Sequence, residues 1–240
     1  MMRHRTQAKQ SVPWRFAGLF ICFTLISAAV GATQSETNNA AKPPDREIAP
    51  GIVEIGQVRV NKEERSLSFP AAINMTTGAV EYLLVSAVGK LHESVLRTDV
   101  DPMHIHLGAL LLGAKGAQTN LTVHDFNTKD IPGEAIDLLV EWSVEGQTKQ
   151  SRAEETVFNI ETKALMSTGP WVYNGSQLHG GTLVAQRDGL IVAIMSDPLA
   201  LMNSPRKGRE NDEIWEVNAK AVPQVNTPVR FIIKFKNDKQ

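Results

Sequence analysis

The chain has almost no cysteine: its 240 residues include a single one, Cys22, close to the N-terminus. The sequence beyond Cys22 therefore has no thiol. This excludes disulfides, iron–sulfur clusters, cysteine zinc sites and thiol nucleophiles from that part of the chain. A domain without disulfides must be stabilised by its own hydrophobic core, and about 150 to 200 residues are enough to form one.

Several catalytic and cofactor motifs are also absent. No serine lies in a Gly-x-Ser-x-Gly turn, so the sequence gives little support to serine catalysis. There is no Gly-x-Gly-x-x-Gly or Walker-type phosphate loop, and His-Glu-x-x-His does not occur. Repeats with a period of 20 to 50 residues are missing too, which argues against a solenoid or propeller.

No hydrophobic run is long enough to favour a membrane-spanning helix. The longest, residues 16–30, falls short of the roughly 20 residues that cross a bilayer. It follows a basic leader and ends at the small residues Val30, Gly31 and Ala32. We therefore predict that residues 1–32 are a signal peptide cut after Ala32, and that the protein is exported, to the periplasm or outside the cell. The alternative is an uncleaved N-terminal helix that anchors it in the membrane.

The chain has no excess of positive charge. Its formal net charge is −1, and cleavage after Ala32 would remove four basic residues and no acidic one. The remaining chain would be mildly acidic, without the dense basic face that displaces counterions from nucleic acid. We therefore expect no nucleic-acid partner, and contact with a membrane only if the leader is retained.

The rest of the sequence predicts a mainly β (α+β) fold. Residues 33–50 are polar and small, typical of a disordered spacer, and residues 51–240 predict a single β-rich domain. Segments 52–60 and 67–73, 81–88 and 91–98, and 182–186 and 190–195 flank short polar turns, which predicts antiparallel hairpins. Residues 136–144 alternate between apolar and polar side chains, a return segment begins at Gly146 and runs through Thr156 to Ile160, and 231–235 form the last strand.

Two Asp-Pro pairs predict the helices of this fold. Asp101-Pro102 precedes residues 103–112 and would begin a helix of about three turns that stops at Gly113. Asp197-Pro198 would begin a short helix over 199–202. The aspartate accepts hydrogen bonds from free amides, and the proline fits the first helical position.

A group of histidines and carboxylates forms one set of candidate functional residues: His92, Glu93, Asp99, His104 and His106. Histidine beside a carboxylate suits a divalent metal or proton transfer. Strand geometry would point His92 and Glu93 to opposite faces, and helix geometry would separate His104 from His106 by about 200°. The alternative interpretation is that these are ordinary strand and helix residues.

A second set combines aromatic and basic residues: Trp171, Tyr173, Arg206, Arg209 and Trp215. Aromatic faces beside charged groups suit a carbohydrate, a peptide or a partner protein. The alternative is that the tryptophans cover the edge of the core while the charged groups are solvated. Arg206 and Arg209 could also pair with Asp212 and Glu213.

Several segments resemble the YdjY-type domain of exported bacterial proteins. They are GKLHESVLRTDVDP, LLLGAKG, GPWVYNGSQL, DPLALMNSPRKG, DEIWEVN and VPQVNTPVRFIIKF, which lie between about Val53 and Lys234. The resemblance implies an exported bacterial protein and no established activity. Some cysteine-bearing members are labelled ferredoxin-like, but this chain lacks the thiolates that a cluster needs beyond Cys22.

The sequence therefore predicts an exported, non-catalytic domain that binds a small ligand or an envelope or extracellular partner, without a cofactor. The alternative is a metal-dependent enzyme or metal carrier that uses the histidine group with a divalent metal.

Overall fold

The computed structural model describes residues 46–117 and 120–236, so the predicted signal peptide lies outside the described residues. Short strands dominate, and three α-helices interrupt them. The helices are α1 (Pro102–Leu111), α2 (Val123–Thr128) and α3 (Val184–Asp188). The strands are β1 (Arg46–Ala49), β2 (Ile52–Ile55), β3 (Val58–Asn61), β4 (Ser66–Ile73), β5 (Tyr82–Ser86), β6 (Ser94–Thr98), β7 (Glu134–Val144), β8 (Gln147–Arg152), β9 (Val157–Asn159), β10 (Ala164–Leu165), β11 (Trp171–Tyr173), β12 (Leu178–His179), β13 (Thr182–Leu183), β14 (Leu190–Ala193), β15 (Met202–Asn203), β16 (Trp215–Val217) and β17 (Pro228–Phe235).

The largest sheet closes on itself. Hydrogen bonds join eight strands in the order β4, β17, β7, β11, β15, β14, β5 and β6, and β6 then pairs with β4. Strands β3, β2 and β1 extend the sheet beyond β4, and β8 pairs with the second half of β7. The mainly β class predicted from the sequence is thus confirmed.

Alternating side chains explain which face of this sheet is buried. In β17, Val229, Phe231 and Ile233 are buried while Arg230 and Lys234 are exposed. A strand points successive side chains to opposite faces, so the apolar set shares one side. The same alternation in β3, β4 and β7 brings their apolar side chains into one core, which includes Val60, Leu67, Phe69, Phe231, Leu138 and Val140.

Helix α1 covers the inner side of β3 and β4 and confirms the first helix prediction. The Asp101 side chain accepts a hydrogen bond from the Met103 amide, and Pro102 is the first helical residue. At Gly108 the helix lies so close to the sheet that an added Cβ would meet Leu67 at 3.0 Å. The polar side chains that alternate with Val60 and Leu67 therefore lie on the face turned away from α1.

The predicted hairpin of 81–88 with 91–98 is wrong. Strands β5 and β6 form there, but they pair in parallel, with Tyr82 opposite Ser94 and Ser86 opposite Thr98. The seven residues 87–93, which include a 3₁₀ turn, can span about 23 Å when extended, enough to return the chain to the start of β5. A strand pattern predicts strands without specifying their partner.

The predicted helix at 199–202 is also wrong, because tertiary contacts use its backbone groups. The Leu201 amide, which would bond the carbonyl of Asp197 in a helix, donates to the carbonyl of Leu190 instead, and the Asp197 carbonyl accepts from the Asn203 side chain. The segment forms a turn that leads into β15, which pairs in parallel with β14.

Two other boundaries differ from the sequence prediction. The hairpin predicted for 182–186 with 190–195 contains α3 instead, which ends at Gly189 in the left-handed region (φ 74°). Strand β1 begins at Arg46, inside the segment predicted as a spacer, because it pairs with β2. In the part of the chain that the structure describes, no helix has the length and apolar character needed to cross a membrane.

Candidate binding site

The aromatic residues predicted as a recognition surface lie in the core. Trp171 and Tyr173 are fully buried on β11, between β7 and β15. The Tyr173 hydroxyl lies 2.9 Å from His106 Nδ1, and its ring packs edge-on against Phe235. These two rings cannot present a face to a ligand, which agrees with the alternative interpretation of the tryptophan.

Arg206 is likewise part of the interior. Its guanidinium lies 4.7 Å from the centre of the Trp171 ring and donates to Glu154, 3.0 Å away, and to the carbonyl of Gly169. Burial lowers the pKa of Arg206 to about 10, so the side chain remains charged at neutral pH. The group that it neutralises is Glu154, not Asp212 or Glu213.

Arg209 and Trp215 hold the loop that follows β15. Arg209 donates to the carbonyls of Phe126 and Lys129, at 2.7 and 3.0 Å, and so ties this loop to α2. The indole of Trp215 is buried and donates to the carbonyl of Gly208 at 2.9 Å. The contacts of the five predicted residues are therefore those of core and loop packing.

The histidine group is not brought together either. The His92 side chain is 80% exposed and lies 3.6 Å from Glu93, while His104 is buried in α1. The His104 ring packs so closely on Gly56 that a Cβ there would lie 2.2 Å from Nδ1. His106 faces Tyr173, and burial lowers the pKa of its imidazole.

Asp99 is exposed on the turn after β6. Within residues 46–117 and 120–236, no group of three or more histidine, cysteine, aspartate or glutamate side chains could hold a metal ion. The metal hypothesis stays a prediction that no described contact supports.

A partly buried carboxyl outside both predicted sets is expected to make the stability depend on pH. Asp197 Oδ2 accepts a hydrogen bond from the Tyr82 hydroxyl at 2.8 Å, and Oδ1 accepts from the Leu199 amide. Burial raises the pKa of Asp197 more than these hydrogen bonds and the charge of Lys90 lower it.

We expect the free energy of unfolding to fall as pH rises through the pKa of Asp197. The folded protein binds this proton more tightly than the unfolded chain, whose aspartate pKa is about 3.9. The stabilisation is therefore fully present below about pH 4 and is lost as pH rises through the folded-state value. Urea unfolding of wild type and Asp197→Asn across this range measures it. Equal pH profiles for the two proteins would contradict this prediction.

A long depression crosses the outer face of β3, β4, β6, β17, β7 and β8, on the side turned away from α1. It consists of three adjoining cavities of about 520, 400 and 190 Å³. The first two share Arg59, Ser68 and Arg230, and the first and third share Gln57 and Pro70. We call this depression the outer groove; its main lining residues are Arg59, Ser68, Pro70, Glu141, Thr148 and Arg230.

Strand register brings these residues together from distant parts of the sequence. Ser68 on β4 lies opposite Arg59 on β3 and opposite Ile232 on β17. Arg230 lies opposite Glu141 on β7, which in turn lies opposite Gln150 on β8. Neighbouring strands are about 4.8 Å apart, so one side chain from each strand builds a continuous lining.

Basic side chains exceed acidic ones in the outer groove. Among the residues that the structure describes, four basic ones line it, Arg59, Arg97, Arg230 and Lys234, together with the three acidic residues Glu64, Asp99 and Glu141. Arg230 lies 3.5 Å from Glu141, whereas the side chains of Arg59 and Lys234 form no hydrogen bond or ion pair with another described residue. Glu54 lies opposite Arg59 on β2, but no salt bridge joins them in the described structure. The outer groove thus offers unneutralised positive charge to a ligand.

The sequence analysis did not predict the outer groove as a site, although Asp99 of the histidine group lines its third cavity. Its only signal is that each strand has a polar residue between two core residues, as Arg59 lies between Val58 and Val60. This pattern occurs in any half-buried strand and indicates the outer face without indicating a site. The clustered aromatic and charged residues were a stronger indication of a binding site in the sequence than these polar residues, but in the structure they serve core and loop packing.

Comparison with known proteins identifies a family for nearly all of the described domain. The family model described as the YdjY domain matches residues 58–234, from the start of β3 almost to the end of β17. This range includes every strand that lines the outer groove. Searches of curated proteins and of solved structures returned no match. Because the family model matches well over half of the chain's length, the chain belongs to the YdjY domain family.

Proposed function

We propose that this protein is an exported, non-catalytic binding domain whose ligand occupies the outer groove. The observation that supports it most is the open depression of about 520 Å³ on β3, β4, β17, β7 and β8, in which the Arg59 side chain has no described partner. The adjoining cavity of about 400 Å³ adds Lys234, which also has none. Ligand sites are typically concave and combine apolar surface with a few polar groups. The outer groove has this character.

Export is proposed from the sequence of residues 1–32. The basic leader, the short apolar run and the small residues before the predicted cut are typical of a signal peptide. The ligand would then be an extracellular or envelope molecule, and the outer groove would face that compartment. Mass spectrometry of the protein recovered from its host measures whether the N-terminus begins after Ala32.

The side chains of the outer groove favour binding over catalysis. A general acid or base needs a pKa near the working pH, which burial or a neighbouring charge usually provides. Arg59 and Arg230 are exposed, and the groove contains neither histidine nor cysteine. Such a lining can hold a ligand by charge and shape without changing its covalent bonds.

Filling the outer groove is expected to abolish binding. Thr148 lines it, whereas the adjacent Lys149 alternates to the opposite face of β8. Thr148→Trp should therefore weaken a groove ligand at least tenfold, and Lys149→Trp should change its affinity less than about twofold. Both positions are exposed on an edge strand, so both variants should fold.

The measurement is an NMR titration of the purified mature protein with a panel of neutral and acidic oligosaccharides and peptides. Amide shifts identify the surface that each ligand contacts, and mass spectrometry of the recovered ligand detects any chemical change. A panel ligand whose affinity is the same for Thr148→Trp and wild type would contradict the site. A product that accumulates with time would contradict the non-catalytic role.

A further inference from the structure

The outer groove has a distinct centre where its two larger cavities meet. Ser68 lies there, between Arg59 on one neighbouring strand and Ile232 on the other. Arg230 and Lys234 lie two residues to either side of Ile232 along β17. From the rise of about 3.3 Å per residue and the spacing of about 4.8 Å between strands, the Cα atoms of the three basic residues form a triangle with sides of roughly 12 to 13 Å.

The three basic side chains can converge above Ser68. The centre of such a triangle is about 7 Å from each Cα, close to the reach of an extended arginine or lysine side chain. All three residues alternate with core residues, so they project to the same outer face. The Ser68 hydroxyl has no hydrogen-bond partner among the residues that the structure describes, so it is available to a ligand at this point.

The acidic neighbours do not cancel this positive charge. Glu64 accepts a hydrogen bond from Ser66, and Glu141 accepts one from Gln150. The Arg230–Glu141 pair is 3.5 Å long and the Arg230 side chain is 63% exposed, so the pair contributes little and a ligand can compete for the guanidinium. Arg59 and Lys234 have no acidic partner in the described structure to displace.

We infer that the junction of the two cavities is a subsite for a phosphate or carboxylate group, held by Arg59, Arg230 and Lys234 above the Ser68 hydroxyl. Guanidinium groups bind these anions with paired hydrogen bonds, and lysine adds a point charge. The inference rests on the proposed binding function and specifies the ligand class: an anion whose charged group occupies the junction.

The two cavities beyond the junction differ in chemistry and indicate the rest of the ligand. Pro70 and Pro228 line the larger cavity, whereas Asn61, Gln150 and Lys234 line the smaller one. A ligand with an apolar part next to its anionic group would bury that part against the two prolines. The same anion could also arrive as free phosphate, without an apolar part.

Titrations with inorganic phosphate and with hexyl phosphate at constant ionic strength test the subsite. We expect saturable shifts of the amides of Arg59, Ser68 and Arg230 with both probes. Hexyl phosphate should bind at least about tenfold more tightly, since burying two methylenes is sufficient for that gain. Equal affinities would restrict the site to the anionic group alone and overturn the assignment of the apolar part.

Two charge-neutralising variants separate a specific subsite from general attraction. Arg59→Gln removes a junction charge, and Lys149→Gln removes one charge on the opposite face of the edge strand β8. Phosphate affinity should fall at least fivefold in the first and stay within twofold in the second. No saturable shift in wild type, or an equal loss in both variants, would overturn the subsite.

The outcome is distinguishable from a failure of the proposed function. If a neutral ligand of the panel binds and Thr148→Trp abolishes its binding while phosphate does not bind, the outer groove is a binding site and the anion subsite is wrong. If neither phosphate nor any panel ligand produces shifts at the outer groove, both proposals are wrong.

Discussion

Replacing Arg206 with methionine is expected to lower the free energy of unfolding by about 3 to 5 kcal/mol. The side chains of Arg206 and Glu154 are only 8% and 1% exposed, and they form a 3.0 Å ion pair. Removal of one member leaves the other charge buried, and this is far more costly than the loss of a surface pair. The carbonyls of Ser167 and Gly169 would also lose their donor.

The other residues around Glu154 compensate little for the loss of its ion pair with Arg206. Its Oε2 atom is buried and has no hydrogen-bond partner among the described residues, so Oε1 makes the hydrogen bonds to Arg206, Arg152 and the Gly169 amide. Arg152 would remain at 3.1 Å, but its side chain is 30% exposed and it also binds Asp137. One partly exposed arginine cannot replace a buried one.

Urea unfolding of the full-length protein measures this loss, with Arg187→Met as the matched control. Arg187 pairs with Asp188 at the surface, where its side chain is 54% exposed, so its replacement should cost less than about 1 kcal/mol. Adding Glu154→Gln to Arg206→Met should recover part of the stability, because it removes the unpaired charge. The explanation is wrong if Arg206→Met costs no more than the control, or if the double variant is less stable than the single one.

The contrast between these two arginines explains why the sequence placed Arg206 on a recognition surface, although its side chain is buried. Arg206 lies in a run of basic residues, Arg206-Lys207-Gly208-Arg209, that is typical of a solvated loop. Its burial depends on Glu154, 52 positions away, and on the Trp171 ring. Local composition cannot show such a pairing, since only the closed sheet brings β11 and the loop after β15 together.

Elements that depend on local signals were predictable. Alternation located β7 and β17, and Asp101 with Pro102 located the start of α1 to the residue. The same Asp-Pro signal failed at Asp197, where the Asn203 side chain donates to the Asp197 carbonyl and the Leu201 amide donates to Leu190, so the first bond of a helix does not form. Two identical local signals thus had different outcomes because one lay beside a competing donor.

Pairing between strands was the part that alternation could not specify. Each of the segments that form β5 and β6 has a strand pattern, but their parallel pairing depends on the path of residues 87–93. The outer groove likewise depends on which strands pair. Arg59 and Arg230 are 171 positions apart in the sequence, and they meet only because β4 pairs with both β3 and β17.

Truncation of Phe231 to alanine is expected to cost about 3 to 5 kcal/mol. Phe231 is fully buried on β17, which pairs with β4 on one side and β7 on the other. Its ring packs against Phe69 with centroids 5.5 Å apart. Loss of a buried phenylalanine removes its transfer free energy and leaves a cavity that a closed sheet cannot easily fill.

The adjacent residue gives a matched control that also tests the faces of β17. Ile232 is partly exposed and lines the outer groove, so Ile232→Ala should cost less than about 1.5 kcal/mol. Urea unfolding compares the two variants on one strand. Equal losses would mean that the groove face is as buried as the core face, which would contradict both the orientation of β17 and the access of a ligand to Arg230. A large loss for Phe231 with a small one for Ile232 is what this orientation requires, because alternate side chains of one strand then support the core and line the outer groove.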